Sequence, residues 1–197
     1  MSEVSDRELV NQLQNGQLDA LGELYNRYQR LVFRTVLAIT GDYDAAGDLL
    51  HEVFLRLYHF IDKFDVSRPL QPWLYRMSTN LAYTWLKQNR NWWQSIEDMA
   101  EWLNVVGKRT PHELVVQKDD RERVQRALNS LPVAQRIVVV LYYLNDLSIQ
   151  DISEILEIPA GTVKSRLHYG RKLLKKELEV RGLEDIEKLP DFKYEGS

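Results

Sequence analysis

The sequence predicts an all-α protein of two small helical domains joined by a linker, with a helix-turn-helix in the second domain. Apolar residues recur every three or four positions along most of the 197 residues, which is the spacing of amphipathic helices. The β-branched run from Ile137 to Val140 could be a buried strand. Because no partner strand is recognisable elsewhere, it is predicted to be a buried helix.

The first half of the chain is predicted to hold four helices. Ser5 and Glu8 form a capping box at the start of the first, because each side chain can satisfy a free backbone N–H. Glycines end the first two helices, and prolines disfavour helix in the loop before the fourth. The four predicted helices run from Ser5 to Gly16, Leu21 to Gly41, Leu49 to Ile61 and about Pro72 to about Asn89.

The second half is predicted to begin with a linker that contains a short amphipathic helix starting near Ser95. A helical block follows, interrupted by Pro132 and by the turn around Pro159. The last residues are polar and acidic and are predicted to be mobile. The predicted divisions are a first domain over 1–94, a linker over 95–117, a second domain over 118–180 and a tail over 181–197.

Composition argues against several classes of protein. The chain has no cysteine, so disulfides, thiolate zinc sites and cysteine nucleophiles are excluded. The four histidines do not share metal-ligand spacing, and no nucleophile, base and orienting group occur together. No apolar run approaches the roughly 20 residues of a membrane span. We therefore expect a cytoplasmic protein that is not an enzyme, needs no metal or other cofactor and does not insert into a membrane.

Basic residues are concentrated in two segments, although the formal net charge is −3. Residues 66–93 contain four basic residues and no acid, and residues 160–176 contain six and no acid. Local runs of positive charge in an acidic protein are typical of separate contacts with nucleic-acid phosphates. Two such contacts are therefore predicted.

The segment from Ser148 to Lys176 is predicted to be a helix-turn-helix. Ser148 and Asp151 form a capping box, Pro159 stops the first helix, and the second helix carries the basic residues. The first turns of such a second helix meet base edges in the major groove. A solvated basic face on a structural helix is the alternative. The predicted DNA contacts on this helix are Thr162, Lys164, Ser165, Arg166, His168, Arg171, Lys172 and Lys175.

A second candidate DNA surface lies on the fourth helix. Cations, an amide and an aromatic ring recur there at spacings of three and four, on a face different from the apolar one. Such a mixture suits single-stranded DNA, because cations follow phosphates and rings stack on unpaired bases. An ordinary solvated face with one exposed tyrosine is the alternative. The residues are Arg76, Asn80, Tyr83, Lys87 and Arg90.

Three segments together resemble the extracytoplasmic-function (ECF) sigma factors, small two-domain subunits of bacterial RNA polymerase. Gly161–Arg166 resembles the start of the family's recognition helix. Ala46–Phe54 resembles its clamp-binding helix, and Pro72–Ala82 resembles its promoter-melting helix. The resemblance spans roughly residues 6–179, in the family's order and spacing.

The resemblance implies a function and partners. The second domain is expected to bind the −35 promoter element, and the first domain is expected to bind polymerase and open the −10 element. The expected partners are promoter DNA and core RNA polymerase, through the clamp coiled coil of its largest subunit and through its flap. An anti-sigma factor is a further expected partner.

The resemblance also implies two further sets of site residues. The loop from Asp65 to Gln71 corresponds to the family's pocket for a flipped-out −10 base, and Val66, Ser67, Arg68 and Leu70 are the candidates for its rim. The candidate polymerase contacts on the third helix are Asp48, His51, Glu52, Leu55 and Arg56. On the residues alone, the loop is equally consistent with a simple connector, and the helix edge with a solvated face.

The chain departs from the family pattern at a few positions. Gly47 and His51 stand where an acid and a glutamine are usual, and His168-Tyr169-Gly170 replaces a more basic stretch. The last departure is where we expect a promoter preference particular to this chain. The alternative function is a free-standing helix-turn-helix regulator with an amino-terminal sensor or dimerisation domain. LuxR-type response regulators, for example, also carry a helix-turn-helix.

Overall fold

The computed structural model describes the backbone of residues 4–104 and 116–180 and the side chains of residues 4–89 and 123–178, and these parts are helical without strands. A 3-10 turn spans Ile61–Lys63, and a π-helical turn spans Val140–Leu144. The α-helices are α1 Asp6–Gln14, α2 Asp19–Thr40, α3 Tyr43–Phe60, α4 Leu70–Asn104, α5 Val116–Asn129, α6 Val133–Val139, α7 Ile149–Leu156 and α8 Ala160–Val180.

Helix α2 forms the centre of the first half. It packs against α1, α3 and α4, and its Leu24, Val32 and Ile39 are fully buried. The ends of these helices are formed by local chemistry. Gly41 adopts a left-handed conformation at the end of α2, and the Asp42 carboxylate accepts a hydrogen bond of 2.8 Å from the backbone N–H of Ala45 at the start of α3.

Helices α5 to α8 form the second half, where α8 packs mainly on α6 and also on α7 and α5. Leu141, Ile152 and Val163 are fully buried among them. Gly170 lies where α8 crosses α6, and a Cβ atom built on it would be 2.7 Å from Cγ2 of Val139. The close approach of these two helices therefore depends on a residue without a side chain.

The β-branched run is helical, as predicted, and it continues directly into the π-helical turn. Val138, Val139 and Val140 are buried there. Burial on nearly all sides removes the polar face by which an amphipathic helix is normally recognised. That explains why the sequence pattern alone resembled a strand.

Helix α4 is longer than the sequence suggested. It was predicted to end near Asn89, with a new helix starting near Ser95, but it continues without interruption to Asn104. The physical reason is that no glycine or proline occurs between Pro72 and Gly107. The remainder of the predicted linker up to residue 115, and the predicted mobile tail over 181–197, lie outside the described residues.

Within the described part of the chain, Arg136 is the one charged residue that is buried, with 6% of its surface exposed. Its guanidinium donates hydrogen bonds to the backbone carbonyls of Asn129 at 2.6 Å and Leu131 at 3.1 Å. Burial lowers the pKa of Arg136 to about 10, so it remains a cation at neutral pH. It fixes the end of α5 against α6.

Candidate nucleic-acid interface

The turn between α7 and α8 is held by side-chain and backbone hydrogen bonds. The Ser148 hydroxyl and the Asp151 carboxylate form the predicted capping box of α7. Glu157 ends α7 in a left-handed conformation, with φ of 52°, and the Ser153 hydroxyl donates to the carbonyl of Ile158 at 2.6 Å. The backbone N–H of Thr162 donates to the carbonyl of Pro159 at 2.8 Å and so closes the first turn of α8. The start of α8 is thereby fixed relative to α7.

The buried side of α8 leaves an exposed face opposite. Val163, Leu167, Leu174 and Leu178 point into the core, and in a helix with 3.6 residues per turn the opposite face is then open to solvent. Among the predicted −35 contacts, Lys164, Ser165, His168, Lys172 and Lys175 are exposed, and Thr162, Arg166 and Arg171 are partly exposed. The set covers the centre and both flanks of the face. A groove has a phosphate strand on each side, so both flanks can meet phosphates.

The departure at residues 168–170 has two different structural consequences. His168 and Tyr169 are exposed, and their rings meet edge to face at 5.4 Å between centroids. Gly170 is buried against α6. Gly170 therefore serves helix packing, and only the two rings are available to DNA.

The predicted stripe on α4 lies on one side of the helix. Asn80, Tyr83 and Lys87 are exposed, with 47% of the Tyr83 surface open. Arg76 is partly exposed and forms an ion pair of 2.6 Å with Glu157 in the turn between α7 and α8. The side chain of Arg90 lies outside those described. Leu74 and Leu81 on the other side of α4 are buried, as the predicted core face requires.

The loop before α4 is a short ordered turn. The Asp65 carboxylate accepts hydrogen bonds from the hydroxyl of Ser67 at 2.7 Å and from its backbone N–H at 2.9 Å. These bonds hold the pKa of Asp65 below its usual range, and the bond from the hydroxyl has the larger effect. Arg68 extends outward with 79% of its side chain exposed. Leu70, predicted to lie on the rim, is only 2% exposed but lines the cavity beside the loop together with the other candidates.

A cavity of about 770 Å³ opens beside this loop. Besides Val66, Ser67 and Arg68, its walls include Asp6 on α1 and Arg27 and Tyr28 on α2. The Asp6 carboxylate accepts hydrogen bonds from both the Arg27 guanidinium and the Tyr28 hydroxyl. Burial, followed by this contact with Asp6, raises the pKa of Tyr28. The back wall of the cavity is therefore a hydrogen-bonded polar network that faces the loop.

The predicted polymerase edge lies on the outer side of α3. Asp48, His51, Leu55 and Arg56 are exposed there, and Glu52 is partly exposed and accepts a hydrogen bond of 2.7 Å from Arg56. Leu55 is 63% exposed and lies between these charged side chains. A protruding apolar side chain within a polar rim is a common form of a protein-binding surface.

Two protein families match the two halves of the chain. The family described as Sigma-70 region 2 matches residues 24–92. The family described as Sigma-70, region 4 matches residues 121–174. The first range contains α3 and the exposed stripe of α4, and the second contains the helix-turn-helix up to residue 174. The two candidate surfaces therefore fall within recognised regions of sigma factors.

Full-length relatives cover nearly the whole chain. The ECF RNA polymerase sigma factor SigW of Bacillus subtilis is 31% identical over 89% of this chain and 98% of its own length. The ECF RNA polymerase sigma-E factor of Escherichia coli K12 is 31% identical over 88% of this chain and 95% of its own. The chain belongs to the ECF RNA polymerase sigma factors. This sigma factor directs RNA polymerase to promoters, as the sequence predicted, and the alternative of a free-standing regulator is not favoured.

Solved structures share the fold of this sigma factor. CnrH in complex with the cytosolic domain of CnrY gives a TM-score of 0.68 at 21% identity, covering 89% of this chain and 97% of that one. The sigma factor RpoE in complex with the anti-sigma factor NepR, from Bartonella quintana, gives a TM-score of 0.61 at 22% identity. This match covers 81% of this chain and 96% of that one. The predicted all-α fold is confirmed.

Several residues of the candidate surfaces were missed at the sequence level. Tyr169 belongs to the segment where a promoter preference was expected but was not among the predicted contacts; it is 57% exposed in the centre of the α8 face, four residues after Ser165. Tyr58 and His59 continue the α3 edge beyond Arg56 and are exposed. In both cases the helical spacing was a sufficient signal, since each residue lies three or four positions after a predicted one.

Within residues 4–104 and 116–180, no helix of the sigma factor is both long and apolar enough to cross a bilayer. The described part likewise contains no group of three or more histidine, aspartate or glutamate side chains placed to hold a metal ion. The candidate surfaces consist of exposed side chains on α3, α4 and α8 and the cavity beside the loop.

Proposed function

We propose that this sigma factor reads the −35 element with α8 and opens the −10 element with α4 and the loop before it. The observation that carries the proposal is the presence of two exposed basic surfaces, one on each half of the chain. In this proposal residues 1–94 form the polymerase-binding and −10 domain, residues 95–117 the linker, residues 118–180 the −35 domain and residues 181–197 a tail.

At the −35 element, the first turns of α8 enter the major groove. Arg166 and Ser165 meet base edges, because they lie near the amino-terminal end that such helices present to the bases. Lys172 and Lys175 lie further along and contact phosphates. Tyr169 lies between these groups and offers an apolar surface to a thymine methyl or a sugar.

At the −10 element, α4 binds the strand that becomes unpaired. Tyr83 stacks on an exposed base, while Arg76 and Lys87 contact the backbone on either side. The cavity beside the loop accepts one base taken out of the stack, with Ser67 and Arg68 at its rim. Unstacking a base costs a few kcal/mol, and the contacts in the cavity offset that cost.

On the polymerase, the α3 edge packs against the clamp coiled coil, and the second domain contacts the flap. Leu55 supplies the apolar anchor, and Asp48, His51, Glu52 and Arg56 supply the polar rim. The sigma factor acts in the cytoplasm, without catalytic activity of its own. The structural neighbour RpoE was solved with an anti-sigma factor, and we propose that a partner of this class also binds the present chain.

The test is transcription in vitro with core polymerase and this protein on bacterial genomic DNA, followed by sequencing of the transcripts. We expect a set of start sites that share sequences near −10 and −35 and that disappear when either core polymerase or the sigma factor is omitted. Leu55→Asp should lower core binding by about tenfold or more, since an apolar hot spot is replaced by a charge. Leu18→Asp, at an equally exposed leucine outside α3, is the control and should bind normally.

A further inference from the structure

The last residue of α1 is tied to the segment that leads into the loop before α4. The Gln14 side-chain amide donates from Nε2 to the backbone carbonyl of Ile61 at 2.8 Å and to that of Phe64 at 3.0 Å. Both carbonyls are distant in sequence, 47 and 50 positions from Gln14. Ile61 caps the end of α3, where carbonyls are no longer all bonded within the helix. A single side chain of α1 therefore holds the end of α3 and the residue after the 3-10 turn.

Phe64 is the residue from which the loop extends. Its ring stacks on that of Trp73 in the first turn of α4, with 4.7 Å between centroids and 29° between planes. The next residue, Asp65, holds Ser67 through the two hydrogen bonds described above. The bond from Gln14 to the Phe64 carbonyl thus fixes the base of a loop whose tip forms the rim of the cavity.

The first turn of α1 is attached to the opposite side of the same cavity. The Asp6 carboxylate accepts hydrogen bonds from Arg27 and Tyr28 of α2, and the Arg27 guanidinium also donates to the Val4 carbonyl at 2.8 Å. These contacts make the start of α1 part of the back wall. The wall residues from α1 and the turn before it are Val4, Ser5, Asp6, Arg7 and Val10.

Helix α1 is a firm connection between these two sides of the cavity. Its nine residues span about 13 Å at ~1.5 Å per residue. Leu9, Val10 and Leu13 are each at most 2% exposed, so one face of the helix is packed into the core along its length. The back wall at one end of α1 and the loop at the other are therefore held at a set distance.

We infer that Gln14 is a positioning residue for the capture of the −10 base: it holds the rim of the cavity at the width that the base requires. Gln14 is not itself on the cavity wall, so it acts through Phe64 and the loop rather than by touching DNA. The inference rests on the proposed function, in which the cavity accepts an unstacked base. A loop that is already ordered binds more tightly, because its ordering is not charged against the binding free energy.

Three substitutions at Gln14 separate its hydrogen bonds from its volume. Gln14→Glu has the same shape, but its ionised carboxylate cannot donate and faces two carbonyl oxygens. Gln14→Met removes the donor without adding a charge. Gln14→Lys restores a donor, since an ammonium group can bond the last carbonyls of a helix. The matched control is Gln12→Glu, at a likewise partly exposed glutamine two residues earlier and on the other side of α1.

The measurement is binding of single-stranded oligonucleotides to the complex of core polymerase with each full-length variant. The oligonucleotides carry the −10 sequence identified by the transcripts above, either intact or with one base removed to leave an abasic site. Fluorescence anisotropy gives both affinities. With the unmodified protein, removal of the captured base should weaken binding about tenfold or more. This ratio of the two affinities reports base capture itself.

Gln14→Glu should weaken binding of the intact oligonucleotide about fivefold, because the loop must now be ordered by the base. It should leave binding of the abasic oligonucleotide unchanged, so that the ratio falls by the same factor. Gln14→Met should lower the ratio in the same direction but less. Gln14→Lys and Gln12→Glu should keep the ratio of the unmodified protein.

The possible failures are distinguishable. If Gln14→Glu and Gln14→Met both keep the ratio of the unmodified protein, Gln14 does not position the rim. An equal loss of affinity for the intact and abasic oligonucleotides would also overturn the inference, since damage to the fold alone weakens both. If no abasic position weakens binding of the unmodified protein, the cavity does not capture a base, and the proposed function of the cavity falls together with the role of Gln14.

Discussion

At the scale of single residues, the candidate surfaces consist of exposed side chains whose neighbours in sequence are buried in the core. Arg166 lies on the flank of the α8 face, between the buried Val163 and Leu167, and it is partly exposed. Its backbone position is therefore set by the core of the second region, while its guanidinium remains available. A side chain placed in this way can distinguish bases, because the helix does not have to be ordered on binding.

Arg166→Ala should weaken recognition of the −35 element. A bidentate arginine contact with guanine discriminates by about 1–3 kcal/mol, so we expect roughly tenfold less transcript from a matched promoter and a smaller loss from a promoter with an altered −35 element. Lys176→Ala, which removes one exposed charge further along α8, should lower transcription from both promoters to a similar extent. Unchanged transcription of the matched promoter by Arg166→Ala would contradict groove binding by α8.

At the scale of elements, the packing of α8 on α6 determines where the −35 surface points. The two helices meet at Gly170, where an added methyl group would be 2.7 Å from the branched side chain of Val139. Val139 is itself buried, with 2% of its surface exposed. The glycine thus sets the distance between the helix that reads DNA and the helix that supports it.

Gly170→Ala should lower the stability of the protein, because overpacking a core contact costs about 1–3 kcal/mol and exceeds the gain in helix propensity. For a chain of this size, that corresponds to a fall in Tm of several degrees. Gly22→Ala in α2, where nothing lies within 4 Å of the new methyl group, should raise Tm slightly. A Gly170→Ala protein as stable as the Gly22→Ala protein would show that the helices can separate at no cost. Thermal denaturation measures the Tm of the two variants.

The α4 stripe should act in DNA opening. Asn80→Ala combined with Tyr83→Ala removes a ring whose stacking on a base is worth about 1–3 kcal/mol, so transcription from a duplex promoter should fall by about tenfold or more. A template already unpaired at −10 should recover a large part of this loss, since opening is then no longer required. Gln88→Ala, exposed on α4 outside the stripe, should transcribe both templates normally. Failure of the unpaired template to recover any activity would argue against a role in opening.

Much of this architecture follows from local sequence, because helix positions and exposed faces depend on residues three or four apart. The −10 cavity shows what local sequence does not contain. Its back wall forms when Asp6 meets Arg27 and Tyr28, which are more than twenty positions away. The family resemblance placed Leu70 on the rim, yet packing against the core leaves it only 2% exposed. The burial of Arg136 is likewise not predictable from local sequence, since its guanidinium donates to backbone carbonyls of two different helices, α2 and α5.

At the scale of the whole molecule, the negative net charge and the two basic surfaces have opposite effects on DNA binding. A net charge of −3 repels a polyanion at long range, while the surfaces on α4 and α8 attract it at short range. We therefore expect binding by the free chain to be weak and polymerase to supply the remaining contacts. This combination suits a subunit that must act only as part of a larger complex.

The free sigma factor should therefore bind promoter duplex at least about a hundredfold more weakly than its complex with core polymerase, because most phosphate contacts in that complex belong to polymerase. Fluorescence anisotropy at fixed salt with one labelled promoter measures both affinities. A scrambled duplex of equal length controls for binding without sequence preference. Tight binding of the free chain as a dimer would contradict the assignment to sigma factors and favour a free-standing regulator.

The left-handed backbone at Glu157 has a consequence for stability. A residue with a side chain in this conformation costs about 1 kcal/mol relative to glycine, and glycine is the usual residue at such a helix end. Glu157→Gly should therefore give a protein with a higher melting temperature in thermal denaturation, although it loses the ion pair with Arg76. The position that pairs with Arg76 across the two halves is thus one where the backbone alone would favour a residue without a side chain.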